Sequence, residues 1–161
     1  MREPEWLTYA RKFLDLREIP GTQHNPIIID WLMRLRVWWR DDETPWCGTY
    51  CAHVMATFGV PLPKHWYRAR DWLNWGDKLD FPTIGCIVVF SRDGGGGHVG
   101  FVVGRSVDNH LMVLGGNQGN KVSISPFDQN RVLGYRWPSG KVLQVVLPIL
   151  DSNGKVSANE Q

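Results

Sequence analysis

The sequence predicts an α+β fold, with helices in the first half packed on a five- to six-stranded, mainly antiparallel sheet built from the second half. Two observations carry this. Apolar residues recur at helical spacing up to about residue 75. From residue 86 they gather in short runs rich in Val, Ile and Phe, with Gly, Asn and Asp between them. Helices first and strands afterwards is the order of a domain with segregated layers. No repeat or linker divides the chain, so its 161 residues read as one domain over 1–161, with the core at about 4–138.

Residues 4–16, PEWLTYARKFLDL, put Trp6, Leu7, Ala10, Phe13 and Leu14 on one helical stripe, with Pro4 near the first turn. Two prolines and a glycine in 17–26 end it. A second helix is expected from about Pro26 to Arg36, followed by the loop VWWRDDETP. Thr44 is placed to cap a third helix over about 46–58, with Pro45 at its first position, until FGVPLP stops it. A short fourth helix fits HWYRARDWLNW, 65–75. Five strands follow: CIVVF (86–90), HVGFVVG (98–104), HLMVLGG (110–116), KVSISPF (121–127) and VLGYRWP (132–138). VLQVVLPI (142–149) is a candidate sixth. The polar segment 151–161 is expected to fray.

Composition excludes several classes. Hydrophobic residues at 43% and charged residues at 21% are ordinary for a soluble globular protein. A net charge of +2 does not argue for nucleic acid as a partner. No apolar run reaches the roughly 18 residues of a membrane span; the longest, VLQVVLPIL (142–150), contains Gln and Pro. The charged, amphipathic start MREPEWLTYARKF lacks the apolar core of a signal peptide, so the product is expected in the cytoplasm when synthesised. Three cysteines do not make a disulfide framework, and Cys47 and Cys51 sit four apart on one helix, so reduced thiols are expected. Most of the nine tryptophans are expected in the core, with exposed ones as candidate platforms for a carbohydrate-like ligand.

One stretch calls for chemistry. DETPWCGTYCAHVM (42–55) places Cys47 where a helix opens, and the unpaired N–H groups there favour a thiolate. An activated thiol also needs an imidazole. Of five histidines, His98 fits best: it begins an apolar strand directly after SRDGGGG, held firmly yet reachable. Asn117, at the end of the next strand, is placed to orient it. His53 lies six residues after Cys47 on the same helix, faces elsewhere and reads as structural. Cys47, Cys51, His53 and Cys86 have poor zinc spacing, and no metal is expected. The glycines 94–97 lack the GK[ST] ending of a phosphate loop. They read as a flexible connection beside the site or a plain surface loop, with Gly97 adjacent to His98 as a candidate substrate contact. Trp46 flanks the nucleophile as cleft wall or as core. Arg34, Arg36, Arg40, Arg68 and Arg70 either attract an anionic surface or form a solvated face.

The motifs TPWCGTYCAHVM, GCIVVFSR with GHVGFVVG, and LMVLGGNQGNKVSI, in that order, resemble the CHAP family of cysteine, histidine-dependent amidohydrolases/peptidases. The resemblance covers roughly residues 4–138, and the N-terminal part resembles a branch common in phage lysis enzymes. It implies a papain-like (NlpC-like) fold and cleavage of an amide bond in peptidoglycan by Cys47 as nucleophile, His98 as base and Asn117 as orienting group, without metal or organic cofactor. Papain-like proteases often carry a glutamine before the cysteine as an oxyanion donor; here that stretch is Arg40-Asp41-Asp42-Glu43. Gln118 is an outside candidate for that role.

An endolysin-like hydrolase follows as the first expectation. It would act as a monomer on the wall after a holin-type lesion, as N-acetylmuramoyl-L-alanine amidase or as stem-peptide endopeptidase. An antibacterial toxin with the same chemistry and a non-catalytic wall-binding module are the alternatives.

Overall fold

The computed structural model describes residues 2–19, 23–40, 45–152, 154–158 and 160. Three helices come first: α1 (Glu5–Arg11), α2 (Pro26–Arg34) and α3 (Cys47–Thr57). A 3₁₀ helix, Ala69–Asn74, leads into seven strands: β1 (Asp77–Leu79), β2 (Ile87–Ser91), β3 (Gly97–Ser106), β4 (Leu111–Gly115), β5 (Ser123–Phe127), β6 (Val132–Trp137) and β7 (Ile149–Leu150). The order across the sheet is β1-β6-β2-β3-β4-β5, antiparallel throughout, and β7 pairs in parallel with the far end of β3. This is the expected α+β architecture, consistent with a papain-like fold. No helix among the described residues is long and apolar enough to cross a membrane.

α3 is apolar almost all round, as a buried helix must be. Its residues Cys47 to Ala52, Val54 and Met55 are all buried between α1, α2 and the sheet. Gly48 permits this seating: a Cβ there would lie 2.3 Å from the Trp66 carbonyl oxygen, where the chain leading to the 3₁₀ helix crosses the first turn. β2 and β3 are buried along nearly their whole length, which explains why they read as continuous apolar runs. The helix start carrying Cys47 is thereby pressed against the start of β3, where His98 sits.

Four expectations need correction, and one lies beyond reach. The helix expected at 65–75 is a 3₁₀ helix over Ala69–Asn74. β1 was not foreseen: three residues, two of them exposed, leave no apolar pattern. Segment 142–149 is not a strand; only Ile149–Leu150 pairs, after Pro148, which has no N–H to give. The polar tail does not fray throughout. Ser157 bridges in parallel to Phe127, and its N–H donates to the Pro126 carbonyl at 2.8 Å. Glu160 has a fully buried side chain. The expected cap Thr44 lies outside the described residues.

Candidate active site

Cys47 is the first residue of α3, so its N–H has no partner inside the helix. His98 is the second residue of β3 and is fully buried. Its Nε2 lies 2.8 Å from Gln118 Oε1. The Gln118 amide nitrogen donates to the carbonyl oxygens of Val113 (3.1 Å) and Ser123 (2.8 Å). Those two acceptors fix which end of the amide faces the imidazole. Oε1 can only accept, so Nε2 must carry the hydrogen. Nδ1 is then the nitrogen free to exchange a proton. It is buried, and no hydrogen bond of ordinary geometry satisfies it.

The electrostatics of both groups couple His98 to the Cys47 thiol, and Nδ1 is the ring nitrogen left for it. Burial pushes the thiol up, but the hydrogen bond and charge of His98, with the N–H groups of Val99 and Gly48, outweigh it. The net shift is below the ordinary 9.0. Burial pushes His98 down, but the hydrogen bond and charge of Cys47, the charge of Glu160 and the Gln118 hydrogen bond outweigh it. The net shift is above the ordinary 6.5. Opposite shifts of this kind favour a thiolate–imidazolium pair. The other two cysteines behave oppositely: burial raises Cys51 well above its ordinary value and Cys86 to about 12. They are inert core thiols.

Asn117 does not orient His98. Its side-chain amide donates to the Glu160 carbonyl at 3.1 Å, and the imidazole is held by the next residue. Asn117 adopts φ 60° and Asn120 φ 60°, a left-handed backbone that Asn tolerates. This turn swings Gln118 under the imidazole. Gly115 makes room for it, because a Cβ there would meet Gln118 Oε1 at 2.2 Å and His98 Nε2 at 3.2 Å. Gln118 is equally unsuited to the oxyanion role, since its donors are spent on Val113 and Ser123. Trp46 is 1% exposed and packs over Gly116, so it belongs to the core and not to the cleft.

Sequence reasoning missed a group behind the histidine. The His98 ring stacks on Phe127 (5.4 Å, 8°), and Phe127 on Phe90 (4.4 Å, 16°). Arg131 lies over both phenylalanine rings, at 5.7 and 5.5 Å. Arg131 is paired through two nitrogens with Glu160, at 2.7 and 3.2 Å, and Ser157 Oγ donates to the same carboxylate at 2.7 Å. Burial pushes the Glu160 carboxyl up, yet the Arg131 and Ser157 hydrogen bonds bring it below its ordinary value. It is a buried anion on the histidine side of the site.

Above Cys47 opens a cleft of about 360 Å³, lined by Cys47, Tyr67, Arg68, Arg70, Arg92 and Gly97 among others. Gly97 lines this cleft. Residues 39–117 match the model of the CHAP domain. The match is consistent with a CHAP-like, papain-like hydrolase. The matched stretch holds Cys47 and His98 and ends one residue short of Gln118. A comparison with curated proteins finds no match. CHAP domains are in general cysteine- and histidine-dependent amidohydrolases or peptidases, which implies peptidoglycan amide bonds as the substrate class.

Proposed function

We propose that the chain is a peptidoglycan hydrolase that cuts an amide bond in or at the stem peptide by cysteine acyl transfer. The observation that carries this is the division of labour on His98: Nε2 is committed to Gln118, and Nδ1 is left for the Cys47 thiol. The thiolate attacks the amide carbonyl carbon. The Cys47 N–H, unpaired at the helix start, supplies one donor to the oxyanion. His98 Nδ1 gives its proton to the leaving amine, and the thioester forms as the C–N bond breaks. Nδ1 then takes a proton from water, whose oxygen attacks the thioester and releases the acyl group as a carboxylate. Gln118 is the positioning residue throughout, in place of Asn117.

The bond is either the lactyl amide to L-alanine or one inside the stem. The resemblance of the N-terminal stretch supports a lytic, phage-type role at the wall after release from the cytoplasm. Wild type and Cys47→Ala, incubated with purified sacculi and read by mass spectrometry, test the proposal. Wild type is expected to release fragments and Cys47→Ala none. Free peptide lacking muramic acid names an amidase, and cut stems name an endopeptidase. Equal release by the two proteins would overturn the reading.

A further inference from the structure

We propose that Arg68, Arg70 and Arg92 form an anion subsite over Cys47 that takes a free carboxylate of the substrate beside the scissile amide. The identity of that carboxylate, an unamidated side carboxyl of the stem peptide, rests on the hydrolase reading; the charge of the cleft does not.

Three arginines line one cleft of about 360 Å³ from two separate segments. Arg68 and Arg70 come from the start of the 3₁₀ helix, and Arg92 from the β2–β3 connection. Each has one or two contacts that hold it without neutralising it. Arg68 lies 5.6 Å from the Tyr67 ring centre. Arg70 Nε donates to the Gly96 carbonyl. Arg92 Nη1 donates to the Glu160 carbonyl at 3.4 Å, and its Nε is buried with no partner. A guanidinium has five N–H donors, so most of theirs remain unspent. Among the described residues none of the three forms an ion pair with a carboxylate.

Asp93, next to Arg92 in the chain, is exposed and forms no ion pair with it; two other nearby acids are already engaged. Asp71 accepts from the His65 N–H and from Asn74, and Glu160 is spent on Arg131 and Ser157. Like charges gathered in one cleft repel each other, and a substrate anion relieves this. Forked guanidinium groups suit a planar carboxylate. The glycine loop contributes directly: Gly96 holds Arg70 through its carbonyl, and a Cβ there would sit 3.3 Å from Arg92 Nη2.

The test needs no peptidoglycan. Cys47 is alkylated with iodoacetate and with iodoacetamide, and peptide mapping confirms the site, since Cys51 and Cys86 are fully buried. The charge on His98 is common to every variant, so the change in the rate ratio isolates the arginines. The ratio of anionic to neutral reagent is expected to fall severalfold in Arg68→Gln and further in Arg68→Gln/Arg70→Gln. Arg70→Lys, which keeps the charge, is expected to hold the ratio near wild type, and added salt to lower the wild-type ratio. An equal ratio in wild type and both glutamine variants, each shown folded by circular dichroism, would overturn the subsite.

A second arm names the ligand. Stem peptides with free side carboxylates are expected to show KM about tenfold below their amidated counterparts, in line with a charge-assisted hydrogen bond. Equal KM for the two would remove the carboxylate from the proposal. Loss of the alkylation effect with sacculi still digested sinks the subsite and spares the hydrolase. The converse result sinks the hydrolase and spares the subsite.

Discussion

Replacing Gln118 with alanine removes the 2.8 Å bond that holds the His98 imidazole. A hydrogen bond to a charged group is worth about 1.5–3 kcal/mol. Felt in the transition state, that is about a ten- to hundredfold loss in kcat/KM. Gln118 is buried and does not line the cleft, so the loss belongs in kcat with KM near wild type. The substitution also strips the Val113 and Ser123 carbonyls of a donor. Each unpaired buried group costs about 1–3 kcal/mol, which a domain with about 5–15 kcal/mol of stability survives. Asn117→Ala loses only the bond to the Glu160 carbonyl and some ease at φ 60°. It is expected to stay within about threefold of wild type, well short of the loss a charge-assisted bond brings. Initial rates on dye-labelled sacculi, corrected for folded fraction by circular dichroism, compare the two. An Asn117→Ala loss equal to or larger than the Gln118→Ala loss would refute the assignment.

Three further outcomes are expected. Gly115→Ala drives a methyl to within 2.2 Å of Gln118 Oε1 and 3.2 Å of His98 Nε2; activity should fall at least as far as in Gln118→Ala, and wild-type rates would show the contact to be irrelevant. Glu160→Gln leaves Arg131, whose side chain is 17% exposed, without its counter-charge. Breaking a buried pair costs about 3–5 kcal/mol, to be read from urea midpoints. Because the Glu160 charge helps hold the imidazolium, the alkaline limb of the pH–rate profile should also move to lower pH. His53, pushed down to about 4 by burial and then by the Arg34 charge, is neutral in the fold; it stacks on Trp31 (5.1 Å, 17°) and hydrogen-bonds Tyr9. Between 6.5 and 4 the unfolded chain binds more protons than the native one, so stability should drop as pH falls through that window. His53→Gln should flatten that drop in urea titrations.

Three helices, five strands and the approach of Cys47 to His98 were legible because local signals encode them. Apolar period distinguishes helix from strand, and a cysteine at a helix start and a histidine at a strand edge are local placements. The amide that bonds His98 is Gln118, one residue beyond the expected Asn117. Asn117 and Gln118 are both amides on one turn, and which of them reaches the imidazole depends on the left-handed backbone at 117 and 120 and on the space left by Gly115. That backbone is only hinted at by GGNQGN. The Glu160–Arg131 pair joins residues 29 apart, and nothing in the polar composition of 151–161 marks one glutamate as buried. Trp46 looked equally able to line a cleft or fill the core, since flanking a nucleophile in sequence does not fix which way an indole turns.

The pH dependence of Cys47 alkylation by neutral iodoacetamide tests the central claim most directly, because it reads the thiolate itself. With the thiol held below 9.0 and the imidazole above 6.5, Cys47 should react faster at neutral pH than an ordinary thiol. Its rate should lose its pH dependence below an ordinary thiol titration, and His98→Ala, which leaves burial to push the thiol up, should move the rise to higher pH. A wild-type profile that rises like a free cysteine, unchanged by His98→Ala, would contradict the thiolate–imidazolium pair and the mechanism built on it.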